Sequence, residues 1–173
     1  MASKILTVYY SRKGQNYWNG SIVDLEKGNA ETAAEFIQKA VGGALFEIDT
    51  TTPYPAEYKD CCAQAQKERQ VKARPEIKNR LDSIDEFDVI FVVFPCWFGT
   101  LPMCLFTFLD QYDLSGKKIA PLCSHEGSGM GNSERDLREN YPNATVVEGL
   151  PVRGSQTSEN EIKIAEWAKR FVQ

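Results

Sequence analysis

Pro95-Cys96-Trp97-Phe98-Gly99-Thr100-Leu101-Pro102 sets two flat aromatic side chains beside a glycine, with a proline at each end. Flat aromatics offer a stacking surface to a planar heterocycle. Glycine lets a backbone amide or carbonyl approach such a ring closely. The plain alternative is that Trp97 and Phe98 simply pack over the end of a sheet. A second segment, Ser11-Arg12-Lys13-Gly14-Gln15-Asn16, combines small hydroxyl and amide side chains with a glycine. Backbone N–H groups turned inward there, with a helix N-terminus after them, would suit a phosphate; an ordinary surface loop has the same composition. The third segment is Ser124-His125-Glu126-Gly127-Ser128-Gly129-Met130-Gly131. Its backbone is fit to line the other side of a ring. His125 is the only histidine, and for a lone histidine a structural or solvent-facing place outweighs a catalytic one.

Each segment follows an apolar run. Ile5 to Tyr10 is short, β-branched and aromatic, and predicts a buried strand. Arg12 to Gly28, with three glycines among polar residues, predicts a long functional loop. Asn29 to Val41 predicts a helix, because Ala33, Phe36, Ile37, Ala40 and Val41 recur at spacings of three and four. Gly42-Gly43 ends it as a left-handed cap, and Ala44 to Ile48 predicts a second strand. Pro53 to Val71 predicts a polar helix with Tyr58, Cys62 and Ala65 on its apolar side, followed by irregular chain from Arg74 to Glu86.

Asp88 to Phe94 is apolar on both faces after Asp88, the mark of a parallel strand covered on both sides. Pro102 opens a nearly all-apolar helix. Ile119 to Cys123 predicts a fourth strand, with a local irregularity expected at Pro121 because proline removes a ladder donor. A helix capped by Ser133 and a fifth strand over Ala144 to Val147 come next. A capping box over Ser158-Glu159-Asn160-Glu161 then opens the last helix, which buries Ile164, Trp167, Ala168 and Phe171. Strands alternating with helices predict a doubly wound α/β sheet in one domain, 1–173. In such sheets a ligand binds beyond the carboxyl ends of the strands, at the switch in strand order. The segments starting at Ser11, Pro95 and Ser124, which follow the first, third and fourth strands, fall there.

Composition narrows the function. The chain has 173 residues, is 42% hydrophobic and carries a formal charge of −4. Nothing in that balance suggests a nucleic-acid partner, which would want a clustered basic face. No run reaches the ~20 apolar residues of a membrane span, and no membrane association is expected. Met1-Ala2-Ser3-Lys4 runs directly into the first apolar run without a signal-peptide pattern. Five cysteines without a C-x-x-C, and one histidine, form neither a disulfide framework nor a zinc site. They read as reduced thiols in a cytoplasmic protein, with Cys61 and Cys62 as ordinary helix residues.

The motifs together resemble the flavodoxin family, in its bacterial branch with an extended first loop. The likeness rests on Tyr9-Tyr10-Ser11-Arg12, Pro95-x-Trp97-Phe98-Gly99-Thr100-x-Pro102 and Phe106-Thr107-Phe108-Leu109. It continues through His125-Glu126-Gly127-Ser128-Gly129 and Glu148-Gly149-Leu150-x-Val152-Arg153-Gly154. The resemblance implies a flavodoxin-like five-stranded parallel sheet of order 2-1-3-4-5 with helices on both faces. It also implies FMN held without a covalent bond. The family's phosphate loop looks like Ser-x-Thr-Gly-Asn-Thr. Ser11 and Gly14 match it, while Lys13, Gln15 and Asn16 depart from it.

A second partial match, Gly28-Asn29-Ala30-Glu31, opens the following helix, and Ser11 with Asn16 and the Asn29 end is the favoured combination. The cofactor-binding set implied is Ser11, Lys13, Gly14, Asn16, Asn29 and Ala30 for the phosphate. For the ring it is Pro95, Cys96, Trp97, Phe98, Gly99 and Thr100, with Ser124, His125, Gly127, Ser128 and Gly129; no metal is implied.

Two functions fit this set. One is an electron carrier exchanging electrons with redox partner proteins, in which a peptide flip at Gly99 or a neighbour would place a carbonyl near flavin N5. The other is an FMN-dependent NAD(P)H:quinone or small-molecule oxidoreductase, toward which the mild net charge leans. The partner is then a protein or a small electron acceptor, and the chain a monomer or a homodimer.

Overall fold

The computed structural model describes residues 2–172. The strands are β1 (Ile5–Tyr9), β2 (Gly14–Trp18), β3 (Ser21–Leu25), β4 (Ala44–Glu47), β5 (Val89–Pro95), β6 (Lys118–His125), β7 (Thr145–Val146) and β8 (Leu150–Arg153). The helices are α1 (Asn29–Val41), α2 (Tyr58–Gln70), α3 (Met103–Leu109), α4 (Ser133–Asn140) and α5 (Glu161–Lys169). A 3₁₀ segment, Gly154–Asn160, leads into α5.

The main sheet is parallel, in the order β4-β1-β5-β6-β7, with β8 beside β6. Counted over the five expected strands, this is 2-1-3-4-5. Strand β5 is buried from Val89 to Phe94, which is why its sequence is apolar throughout. Val92 and Phe94 join Leu6 and Val8 under α3 and Leu137. Phe91 and Val93 join Ile5 and Tyr9 under Ala33 and Ile37 of α1 and Trp167 of α5. No helix among the described residues is long and apolar enough to cross a membrane.

Four expectations are corrected. The stretch 12–28 is not a loop throughout: β2 and β3 pair as an antiparallel hairpin. Its tip, Asn19-Gly20, has positive φ at both residues, as a two-residue type I′ turn requires. The fifth strand is split. β7 pairs Lys118 and Ile119, β8 pairs Leu122 to His125, and Ala120 and Pro121 have no partner on that side. The expected irregularity at Pro121 therefore lies in the neighbouring strand, which breaks where proline has no N–H to share.

Ser133 does not cap α4. Its hydroxyl donates to the Met130 carbonyl at 2.6 Å, and Asn132 is the N-cap. The capping box at Ser158 does not form either. The Thr157 hydroxyl and the Asn160 amide donate to the Gly154 and Gln156 carbonyls. Such local bonds compete with helix geometry, and α5 starts only at Glu161.

Candidate functional site

Strand order reverses between β1 and β5, and a cavity of about 290 Å³ opens beyond their carboxyl ends. Asn29 and Ala30 line it at the start of α1, Pro95 to Phe98 line it after β5, and Ser124 and His125 at the end of β6.

The α1 end is built by a close approach. Ser11 Oγ accepts the Glu31 N–H at 3.0 Å. It thereby satisfies one of the free donors of the first turn and leaves its own proton for another acceptor. Gly28 makes this possible: a Cβ there would overlap Ser11 Oγ and stand 2.6 Å from the Arg12 carbonyl oxygen. The phosphate-type match is thus spatially split, with Ser11 before the hairpin and Gly28-Asn29-Ala30 after it. Ser11 precedes the cavity-lining Arg12 but is not itself on the wall. Asn16 lines the cavity, yet its amide donates to the Arg12 and Gly14 carbonyls at 2.8 and 3.2 Å. Lys13 is exposed, Gly14 begins β2, and neither lines the cavity.

Trp97 and Thr100 bond each other's backbone at 2.9 and 3.3 Å around Phe98 and Gly99. Both central residues have positive φ, +53° and +82°. Glycine takes this conformation freely, whereas for phenylalanine it costs about 1–2 kcal/mol. The turn leaves Phe98 42% exposed on the cavity wall. Trp97 also lines the cavity and packs edge-on against Tyr10 and Tyr54, at 5.1 and 4.9 Å between ring centroids. It both covers the sheet end and presents an aromatic surface.

The Gly99 carbonyl accepts the Asn132 N–H at 2.6 Å. It is committed to the start of α4, so the carbonyl left to turn in this loop is that of Phe98. Gly99 itself and Thr100 do not line the cavity, and neither do Gly127, Ser128 and Gly129.

Cys96 stands on the wall as an activated thiol. Its Cys123, Ser128 and Gly99 neighbours outweigh partial burial and bring it down to about 6. Cys123 keeps its proton, pushed up by the Cys96 sulfur and by burial, and shares it with the Gly129 carbonyl at 3.5 Å. Iodoacetamide should therefore label Cys96 ahead of the other four thiols at pH 6.5. The rate should rise with a midpoint near 6, and Cys123→Ala should move that midpoint upward. Mass-spectrometric mapping of the label checks this; a native midpoint near the ordinary ~8.5 would contradict the thiol network.

His125 is pushed down by burial and by Arg153. Its Nδ1 accepts the Gly127 N–H at 2.9 Å, which leaves the ring proton on Nε2. Glu126 accepts from Ser155 and Arg153 and ties this loop to the 3₁₀ segment.

The remaining wall was not read from the sequence: Arg12, Tyr17, Tyr58, Cys61, Cys62, Ala65, Glu126 and Gly154. Two long-range ties bring α2 there. Gln15 Oε1 accepts the Tyr58 N–H at 2.7 Å, and Arg12 donates to the Pro55 and Ala56 carbonyls at 3.0 Å. Cys61 and Cys62 are thus cavity residues, and all five cysteines are free.

A family model described as flavodoxin matches residues 23–171. The chain belongs to the flavodoxin family. No curated protein sequence matches it. Among solved structures, a candidate flavoprotein from Bacteroides eggerthii DSM 20697 is 29% identical with 97% of both chains covered, at a TM-score of 0.78. One from Bacteroides uniformis ATCC 8492 is 25% identical with 98% of this chain and 99% of its own covered, at 0.75. A flavoprotein from Lactobacillus acidophilus NCFM, solved in complex with FMN, shares the fold at 22% identity and a TM-score of 0.65. That match covers 91% of this chain and 98% of its own. Flavodoxin-type sheets are a known instance of ligand binding at the switch point, between the first and third strands of the order 2-1-3-4-5.

Proposed function

We propose that this flavodoxin-family protein binds FMN in the switch-point cavity and carries electrons between redox partners. The observation that carries the reading is one cavity walled both by Asn29 and Ala30 at the N-terminus of α1, where Ser11 accepts a first-turn N–H, and by the Trp97-Phe98 turn. Its volume of about 290 Å³ stands just below the usual range for small-molecule sites. Its donors fit FMN: neutral hydroxyl and first-turn N–H groups for a phosphate, and aromatic, thiol and backbone groups for a ring. The solved relative that holds FMN has the same fold.

Bound there, FMN would supply one- and two-electron chemistry at its ring. The chain's own residues do the rest. Asn29, Ala30 and Ser11 orient the phosphate. Trp97 and Phe98 wall the ring and exclude water. His125, with its proton on Nε2, offers a neutral donor at the wall, while Cys96 offers a sulfur acceptor.

A second reading is an FMN-dependent NAD(P)H:quinone or small-molecule oxidoreductase. The observation that favours it is the wall contributed by the hairpin and α2. Tyr17, Tyr58, Cys61 and Cys62 enclose space that a ring reached only by partner proteins does not need. Steady-state oxidation of NADH and NADPH by the FMN-loaded protein, with quinone acceptors, separates the two. The carrier reading expects turnover only when a reductase is added. Rapid turnover by the protein alone would establish the oxidoreductase.

A further inference from the structure

A second cavity, of about 260 Å³, lies between α2, α3 and α4. Trp97 and Phe98 line the first cavity, whereas Thr100, from the same turn, lines the second. Its walls carry four cations, Arg69, Lys72, Arg74 and Arg135, against two acids, Asp136 and Glu139.

The acids are balanced on their own helix, where Arg135 lies 3.4 Å from Asp136 and 4.0 Å from Glu139. Arg74 is held by Asp110 at 2.7 Å, with its guanidinium over the Phe106 ring. Arg69 and Lys72 remain, and among the described residues neither has an ion-pair partner. Arg69 Nε is moreover buried without an acceptor, as is the Thr100 hydroxyl, whose residue is 2% exposed. Buried polar groups without partners are uncommon, and each calls for an explanation. Lys72 stands just past the C-cap of α2 with φ +51°. Glycine is the usual residue there, so a lysine carries backbone strain that glycine would not.

We propose that this groove binds the phosphate or pyrophosphate group of a small molecule, with Arg69 and Lys72 as its principal cationic ligands. The planar fork of arginine matches an oxyanion. The two uncompensated cations match the charge of about −1.5 to −2 on a phosphate group. The concave shape suits a small anion rather than a flat protein surface. This assignment does not depend on what fills the first cavity.

The test is a titration of the ¹⁵N-labelled full chain with inorganic pyrophosphate, following backbone amides and the arginine Nε–H signals. Saturable shifts are expected at Arg69, Lys72, Arg74 and Thr100, separate from any at Ser11, Asn29 and Ala30. Lys72→Gly suits the local φ and should leave the fold intact while weakening binding roughly tenfold. Arg69→Gln should weaken it at least as much; if that change loosens α2, Lys72→Gly decides. A parallel titration with adenosine diphosphate identifies the source. Equal affinity supports a site that reads the phosphates alone, and tighter binding supports a nucleotide. Shifts matched by sodium chloride at equal ionic strength, shifts confined to the start of α1, or affinity unchanged in both variants would overturn the proposal.

Discussion

FMN is expected to bind far more tightly than riboflavin, and Ser11→Ala to close much of that gap. The two ligands differ by the phosphate, so the difference reads the α1 end alone. A hydrogen bond to a charged group contributes about 1.5–3 kcal/mol, and a helix N-terminus adds about 0.3–1 kcal/mol at an exposed site. Losing the Ser11 hydroxyl should thus weaken FMN about 10- to 100-fold while riboflavin hardly changes. The same substitution removes the acceptor of the Glu31 N–H, which should cost about 0.5–2 kcal/mol of stability, as lost N-caps do. Quenching of flavin fluorescence measures both affinities. Equal affinity of the native protein for the two flavins would refute the phosphate assignment. Parallel losses in the variant would instead mean that Ser11 acts through the fold.

The sheet was legible where local pattern and tertiary burial coincide. Val89 to Phe94 had to be apolar on both faces because α1 and α5 cover one side and α3 the other. The switch-point segments were legible for the same reason: once strand order is known, their place follows. The hairpin was not read, although Asn19-Gly20 between Tyr17-Trp18 and Ile22-Val23 carries its signal. Its glycines look like loop glycines until the two-residue turn is recognised.

The α2 wall had no local signal at all. Cys61 and Cys62 reach the cavity because Gln15 and Arg12 hold residues 43 and 44 positions away, and no periodicity encodes such a tie. Thr100 was placed with the ring-binding residues because it is adjacent to them in sequence. The turn, positive in φ at two consecutive residues, directs it into the other cavity.

Gly28→Ala should damage the site more broadly than any single ligand substitution. The backbone at Gly28, φ −68° and ψ 155°, is open to alanine, and alanine alone would gain about 0.4–1 kcal/mol through the unfolded chain. Space decides against it. The new Cβ would meet Ser11 Oγ and the backbone of Arg12, at 2.6 Å from its oxygen and 2.9 Å from its carbon. A lone side chain could rotate away at little cost, but the Arg12 carbonyl belongs to the segment leaving β1 and also receives the Asn16 amide. Overpacking of this kind costs about 1–3 kcal/mol, which exceeds the gain.

The melting temperature should then fall by up to about 10 °C, at about 2–4 °C per kcal/mol for a chain of this size. Separation of Ser11 from the Glu31 N–H should weaken FMN by tenfold or more. Gly20→Ala is the control. It strains a positive φ at the hairpin tip but has nothing within 4 Å, so FMN affinity should stay at the native value. If Gly28→Ala instead melts and binds FMN like the native protein, β1 and α1 are not held together by the close approach at Gly28.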